Sequence, residues 1–204
     1  MSVQEASHAA AGEHYTSTGL DNVKMGVWAF LGSECLFFGS LISTYLLYRN
    51  RVVGDSPTPS EIYDIPYTSV SSFVLLMSSL TMVLALAAIQ RGDHRGLRTW
   101  LLATALLGMI FIGGQVYEFT AFVEEGLKLS SSTFGSSFFV MTGFHGAHVT
   151  VGIFMLLGLF GMSAFGRLDA VDGPRRVELV GLYWHFVDIV WIVIFTVVYL
   201  VPTN

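Results

Sequence analysis

Six ionisable side chains interrupt stretches of the sequence that are otherwise apolar. They are three acids and three histidines: Glu34, Glu118, His145, His148, His185 and Asp188. Carboxyl and imidazole groups can exchange protons and bind transition metals. Even the lower insertion scales assign roughly 2.5–3.5 kcal/mol to an acid at the centre of a membrane helix, so such groups face protein, water or a lipid head group. We expect an intramembrane polar layer that either links helices by hydrogen bonds or takes part in proton transfer.

The spacing of these residues favours packing over metal binding. His145 and His148 are three residues apart, a spacing that puts both on one helical face and could bind a metal. A diiron site in a helical bundle, however, needs a Glu-x-x-His motif on each of two helices, and the membrane stretches offer no such pair. Small residues surround the histidines, which favours close helix packing. We therefore predict a packed polar seam and no metal site.

Two of the acids are expected to share one depth in the membrane. Counted at about 1.5 Å per residue from the cytoplasmic ends of their predicted spans, Glu34 and Asp188 both lie roughly 14 Å in. Phenylalanines surround Glu34 in the sequence, and His185 precedes Asp188 by three residues on the same helical face. Both acids are predicted to contribute to the polar layer, with a structural role and a proton-related role both open.

The elements that position these groups are membrane helices. Hydrophobic residues make up 53% of the 204-residue chain and charged residues only 12%, which is typical of an integral membrane protein. The predicted fold class is all-α, a polytopic bundle of five transmembrane helices at about 25–48, 70–90, 97–119, 134–162 and 179–201. Residues 1–24 are predicted to form a flexible polar tail, and residues 25–204 a single transmembrane domain. The second span has no ionisable group and is expected to be plain scaffold.

The distribution of Lys and Arg predicts the orientation of the bundle. With the N-terminus inside, seven basic residues lie on the cytoplasmic side and three lie outside. The cytoplasmic seven are Lys24, Arg91, Arg95, Arg98, Arg167, Arg175 and Arg176. The positive-inside rule then places the N-terminus in the cytoplasm and the C-terminus on the periplasmic or extracellular side.

Some of these basic residues could bind anionic phospholipid. The candidate lipid-binding residues are Lys24, Arg98, Arg175, Arg176 and Trp184. The alternative is that the basic residues only orient the chain in the membrane.

Charge and cysteine content exclude other classes of protein. The net charge of −5 comes without a basic stripe, so nucleic acid is not an expected partner. The single cysteine, Cys35, permits no intrachain disulfide and no thiol-pair redox chemistry. The N-terminal tail lacks the apolar centre of a secretory signal, and His8 and His14 are isolated there and predicted to be solvated.

Four segments in this order resemble subunit III of the haem–copper respiratory oxidases. They are MGVWAFLGSECLFF, QVYEF, GSSFFVMTGFHGAHVTVG and LYWHFVDIVWIVIFTVVYL, and the resemblance covers nearly everything from Met25 to Val201. The resemblance implies that Glu34 is the intramembrane acid of the family and that Glu118 belongs to its QxxE[FY] motif. It also implies that the motif residues on the last two spans are His145, His148, Trp184, His185, Asp188 and Trp191.

The resemblance also implies a function and a set of partners. In this family the haem and copper lie in subunits I and II, so no cofactor is expected in this chain except structural phospholipid. Subunit III binds subunit I directly, contacts subunit II and a small subunit IV where one is present, and supports proton uptake. The five-span form lacks two N-terminal helices of the seven-helix form and points to a bacterial plasma membrane.

The sequence leaves three functions open. The first is an accessory subunit of a proton-pumping cytochrome c oxidase. The second is the same subunit in a quinol oxidase. The third, from another class, is a stand-alone membrane metalloenzyme or proton channel.

Overall fold

The computed structural model describes residues 22–49, 65–124, 133–168 and 172–201. Within these residues the secondary structure is helical, in the order α1 Asn22–Tyr48, α2 Ile65–Gln90, α3 His94–Glu124, α4 Thr133–Ala164 and α5 Gly173–Phe195. A π-helical turn, Thr196–Leu200, continues α5. Five helices of the described chain are long and apolar enough to cross a membrane. The predicted all-α fold class with five spans is therefore confirmed.

The helices extend beyond the apolar stretches that predicted them. α3 has 31 residues, about 46 Å at 1.5 Å per residue, whereas the hydrocarbon core of a bilayer is about 30 Å thick. α5 begins at Gly173, six residues before the predicted start, with Pro174 in its first turn. The helix ends thus carry polar and basic residues past the hydrocarbon into the head-group region.

A tight turn joins α2 to α3. Gly92 adopts a left-handed conformation with φ of 74°, which glycine tolerates without a steric penalty. The N–H of Asp93 then donates to the carbonyl of Ala88 at 2.9 Å, which closes the end of α2. The carboxylate of Asp93 accepts from the N–H of Gly96 at 2.9 Å and so caps the start of α3. This turn holds the two helices as an antiparallel pair.

The chain divides into two compact units, Met1–Leu36 and Phe37–Asn204, and the division falls within α1. In the second unit, α2, α3, α4 and α5 form a closed ring in which each helix contacts two neighbours. The remaining part of α1 packs along α4, where the ring of Phe37 lies 5.2 Å from that of Phe144, and Tyr45 lies 5.8 Å from Phe134. Within the ring, α5 is the most buried helix.

Candidate functional site

Trp184 of α5 joins three other helices at one point. Its indole N–H donates to the hydroxyl of Ser78 on α2 at 2.9 Å. The ring lies against Gly108 of α3 and Gly152 of α4, so closely that a Cβ at either glycine would come within 2.6 or 2.8 Å of it. The absence of side chains at these two glycines is what makes room for the indole. Trp184 is therefore an internal packing element.

This position corrects one sequence prediction. Trp184 was expected to bind lipid, but its side chain is fully buried, with 0% exposure. A lipid has no surface of the indole to contact. The prediction was wrong because the sequence does not show that Gly108 and Gly152 face this position from other helices.

Trp191 repeats this arrangement two turns further along α5. Its indole N–H donates to Ser72 of α2 at 2.8 Å. Its ring meets Phe111 of α3 edge-on at 4.8 Å and lies 4.9 Å from the ring of His145 on α4. The two tryptophans, seven residues apart, thus fix α5 against all three of the other ring helices.

Glu118 of α3 is the centre of a buried hydrogen-bonded cluster. One carboxylate oxygen accepts from the hydroxyl of Thr68 on α2 at 2.5 Å and from that of Tyr199 in the π-helical turn at 3.0 Å. The other oxygen accepts from the amide of Gln115 at 3.2 Å. Glu118 is only 5% exposed, so these donors replace water. The carboxylate holds α2, α3 and the end of α5 together.

Asp188 and His185 meet at a different serine. The hydroxyl of Ser79 on α2 donates to Asp188 and also contacts Nδ1 of His185 at 2.9 Å. Asp188 is buried, whereas His185 is half-buried. Tyr199 follows Asp188 by eleven residues, about 16 Å along a helix, so this group and the Glu118 cluster occupy different depths in the bundle.

The two remaining histidines have separate surroundings. His145 is fully buried, and its Nε2 lies 3.2 Å from the carbonyl of Val187 on α5. His148 is half-buried, and its Nδ1 lies 2.8 Å from the carbonyl of Phe144 in its own helix. In the part of the chain that the structure describes, no three His, Cys, Asp or Glu side chains cluster closely enough to hold a metal ion.

The second span supplies most of the partners, which the sequence prediction missed. α2 was expected to be plain scaffold, but its hydroxyls bond both tryptophans, Glu118, His185 and Asp188. The four hydroxyl residues are Thr68, Ser72, Ser78 and Ser79. The signal that could have revealed three of them is the spacing of 68, 72 and 79, four and seven residues apart, which places these positions on one helical face.

Arg49 is a second residue that sequence reasoning missed. It follows α1 and is only 6% exposed. Its guanidinium donates to the carbonyl of Val201 at 2.7 Å and to that of Val197 at 3.5 Å. These carbonyls belong to the end of the last helix, which has no further turn to satisfy them. Arg49 thus caps the C-terminal end of the bundle.

The first unit contains Glu34, which lies half-buried on α1, and Lys24, which lies in the first turn of that helix. The common layer expected for Glu34 and Asp188 stays a prediction. Cys35 is exposed.

The predicted lipid-binding arginines lie at two helix starts. Arg175 and Arg176 are exposed in the first turn of α5, and Arg176 lies 4.0 Å from Asp172. Arg98, in the second turn of α3, donates from Nε to the carbonyl of His94 at 3.1 Å. Their lipid binding stays a prediction.

The family model for cytochrome c oxidase subunit III matches residues 3–202. The chain belongs to this family. It is 40% identical over 205 residues to cytochrome c oxidase subunit 3 of Bacillus subtilis, covering 98% of each chain. It is 39% identical over 188 residues to quinol oxidase subunit 3 of the same organism, covering 92% of this chain and 91% of that protein.

A third relative comes from another bacterium. Cytochrome bo(3) ubiquinol oxidase subunit 3 of Pseudomonas aeruginosa is 39% identical over 179 residues, covering 88% of this chain and 85% of that protein. The resemblance to subunit III of the haem–copper oxidases, expected from four sequence segments, is therefore confirmed. The buried residues described above, among them Glu118, Trp184 and Trp191, therefore lie in the interior of a terminal-oxidase subunit III.

Proposed function

We propose that this subunit III is an accessory, non-catalytic part of an oxygen-reducing, proton-pumping terminal oxidase in which it binds subunit I. The proposal rests on the observation that the buried polar groups of this chain form hydrogen bonds between its own helices. Glu118 accepts hydrogen bonds from two other helical segments, and Asp188 accepts one from Ser79. Hydrogen bonds of this kind between membrane helices stabilise the helical bundle, as expected of an accessory subunit.

The accessory role predicts how the oxidase behaves without this chain. Haem and copper belong to the partner subunits in this proposal, so an oxidase purified from a deletion strain should keep its haem spectrum and its initial turnover. Its proton uptake and its activity during prolonged turnover should decline faster than in the parent enzyme. Loss of the haem centres themselves on deletion, in an oxidase whose other subunits are all present, would contradict an accessory role.

Cytochrome c is the electron donor that we assign to the complex. The support is the relative covering 98% of both chains, which is a cytochrome c oxidase subunit 3. Relatives named quinol oxidase subunit 3 are almost as similar, so the donor has to be tested on another subunit. Subunit II copurified with this chain should contain a dinuclear copper site, and its absence together with quinol oxidation would assign the complex to the quinol oxidases.

The relatives support a location in the bacterial plasma membrane, and the distribution of Lys and Arg supports an orientation with the N-terminus in the cytoplasm. Bacterial relatives and five helices able to span a membrane support a bacterial plasma membrane. Arg49, one of the three basic residues on the proposed outer side, is a buried helix cap and so has a structural reason to be there. Membrane-impermeant labelling of a cysteine added at either end should modify the C-terminus, and not the N-terminus, from outside the cell.

Anionic phospholipid is the ligand proposed for the basic side of the bundle. A groove of 390 Å³ is lined there by Arg95, Arg98, Thr99, Leu102 and Phe160, so that two guanidinium groups border an apolar surface. This combination suits a negative head group and an acyl chain.

Arginine variants test the lipid site. Replacing both groove arginines, Arg95 and Arg98, together with the exposed pair Arg175 and Arg176 by Gln should lower the number of phospholipids retained by the oxidase in native mass spectrometry. Arg91→Gln, on the same side but outside the groove, is the control. Unchanged lipid in the fourfold variant would leave these arginines with a role in orientation alone.

A further inference from the structure

The group formed by Ser79, His185 and Asp188 lies in the middle of the membrane span. His185 follows Gly173 by twelve residues, about 18 Å along a span of 28 residues that is about 42 Å long. Ser79 follows Ile65 by fourteen residues, about 21 Å along a helix of 26 residues. Both side chains are therefore far from either head-group region.

His185 has a polar atom that the described chain does not satisfy. Its Nδ1 contacts Ser79, whereas its Nε2 has no hydrogen bond to any described residue. The imidazole is half-buried, and Nε2 is not among the buried atoms without a partner, so this nitrogen lies at the surface of the bundle. Ser79 has a single hydroxyl hydrogen. When that hydrogen is donated to Asp188, Nδ1 of His185 must be the donor to Ser79, and Nε2 is left as an acceptor.

The surface around this nitrogen is apolar. Val83, four residues after Ser79 on the same helical face, is 50% exposed, and Ile189, four residues after His185 on the same face of α5, is 59% exposed. We call the surface formed by Val83, His185 and Ile189 the α2–α5 face. Hydrocarbon offers no hydrogen bond to an imidazole nitrogen, and a polar group without one costs several kcal/mol in such surroundings. Phospholipid head groups lie about 15 Å away from the membrane centre, so they do not reach it.

We propose that the α2–α5 face binds a transmembrane helix of another oxidase subunit, which presents a hydroxyl or amide side chain to Nε2 of His185. A hydroxyl or an amide can donate to this nitrogen, and the apolar side chains of Val83 and Ile189 pack against the rest of that helix. The inference rests on the proposed function, since it assigns a face of this chain to the assembly with the oxidase.

Photo-crosslinking in the assembled oxidase tests this face. Val83 or Ile189 is replaced by p-benzoylphenylalanine, at positions whose side chains are half exposed and do not fill the interior. Irradiation of the detergent-solubilised complex should give adducts between this chain and another membrane subunit from both positions. Unirradiated complex is the control. Adducts with lipid or with a second copy of this chain, without an adduct to another subunit, would overturn the proposal.

Substitution of the histidine gives a second, independent readout. One hydrogen bond between membrane helices is worth roughly 0.6–1.7 kcal/mol, so His185→Leu should increase the loss of this chain from the complex in detergent about three- to eighteenfold. His185→Gln, which keeps a polar group, should reduce that loss, and Ile189→Val is the matched apolar control on the same face. Equal retention of the leucine variant and the control would contradict the proposed bond.

These outcomes separate the two proposals. A chain that stays on the haem-containing complex but gives no crosslink to another subunit refutes the α2–α5 face alone. A chain that never copurifies with the complex refutes the proposed function itself.

Discussion

Gly152→Ala should destabilise the bundle although it adds a single methyl group. The new Cβ would lie 2.8 Å from two ring atoms of Trp184, whereas ordinary contacts between carbon atoms are about 3.5–4.0 Å, so about 0.7 Å of movement is needed. The indole cannot easily move away, because Gly108 of another helix lies against a different part of the ring and Ser78 accepts its N–H. Overpacking of this kind costs about 1–3 kcal/mol.

Gly158→Ala is the matched control in the same helix. A Cβ there meets nothing within 4 Å. Alanine is favoured over glycine in a helix by about 0.8–1.0 kcal/mol, and this gain is common to both variants. The difference in unfolding free energy between Gly152→Ala and Gly158→Ala therefore isolates the contact with Trp184.

Thermal unfolding of the detergent-solubilised complex, followed by circular dichroism, measures this difference. We expect a lower melting temperature for Gly152→Ala and an equal or higher one for Gly158→Ala. Adding Trp184→Phe should then cost less in the Gly152→Ala background than in the parent, because the smaller ring relieves the contact. Equal stability of the two alanine variants would refute the packing argument.

Three further predictions concern charged groups at other positions. Glu118→Leu should lower the melting temperature more than Glu118→Gln. Leucine leaves the buried donors without an acceptor, at a cost of about 1–3 kcal/mol each, whereas glutamine keeps one acceptor oxygen. Equal effects of the two substitutions would show that the cluster does not stabilise the bundle. Arg49→Gln should speed hydrogen exchange of the backbone N–H of Val201 by roughly tenfold or more, since a hydrogen bond from a charged donor is worth about 1.5–3 kcal/mol. This N–H donates within the π-helical turn, so its exchange reports on the end of the last helix. Unchanged exchange would contradict the capping role. Glu34→Gln should retain both assembly and sustained turnover, whereas Glu34→Ala should loosen the binding of this subunit to the complex, as measured by copurification. Loss of proton pumping in both variants would indicate a proton-related role instead.

The number and class of the helices could be predicted because bilayer thickness fixes the length of an apolar span. The helix ends could not, because polar residues at the head-group level continue a helix at little cost. Arg95 and Arg175 therefore lie inside helices whose predicted starts were 97 and 179. The resemblance to subunit III of the haem–copper oxidases could be recognised because four short motifs occur along the chain in the order typical of that family.

The partners of the polar residues could not be predicted because they come from distant positions. Serine and threonine are inexpensive in a membrane helix, since a hydroxyl can bond its own backbone, as Ser72 does to the carbonyl of Thr68 at 2.7 Å. The serines and threonines of α2 therefore did not by themselves indicate a role in binding the other helices. The Trp184 pocket depends on glycines of two other helices, and the Glu118 cluster on Tyr199, 81 residues away. Helix pairing has to be known before either can be recognised.

Purification of this chain from membranes in a mild detergent tests the central claim most directly. A subunit III that binds subunit I should bring down a haem-containing oxidase, with the haem absorption spectrum and this chain eluting together in a constant ratio, and the iron and copper residing in the other subunits after dissociation. A stable, monodisperse, haem-free assembly of this chain alone, or stoichiometric iron, copper or zinc bound to the isolated chain, would contradict the account.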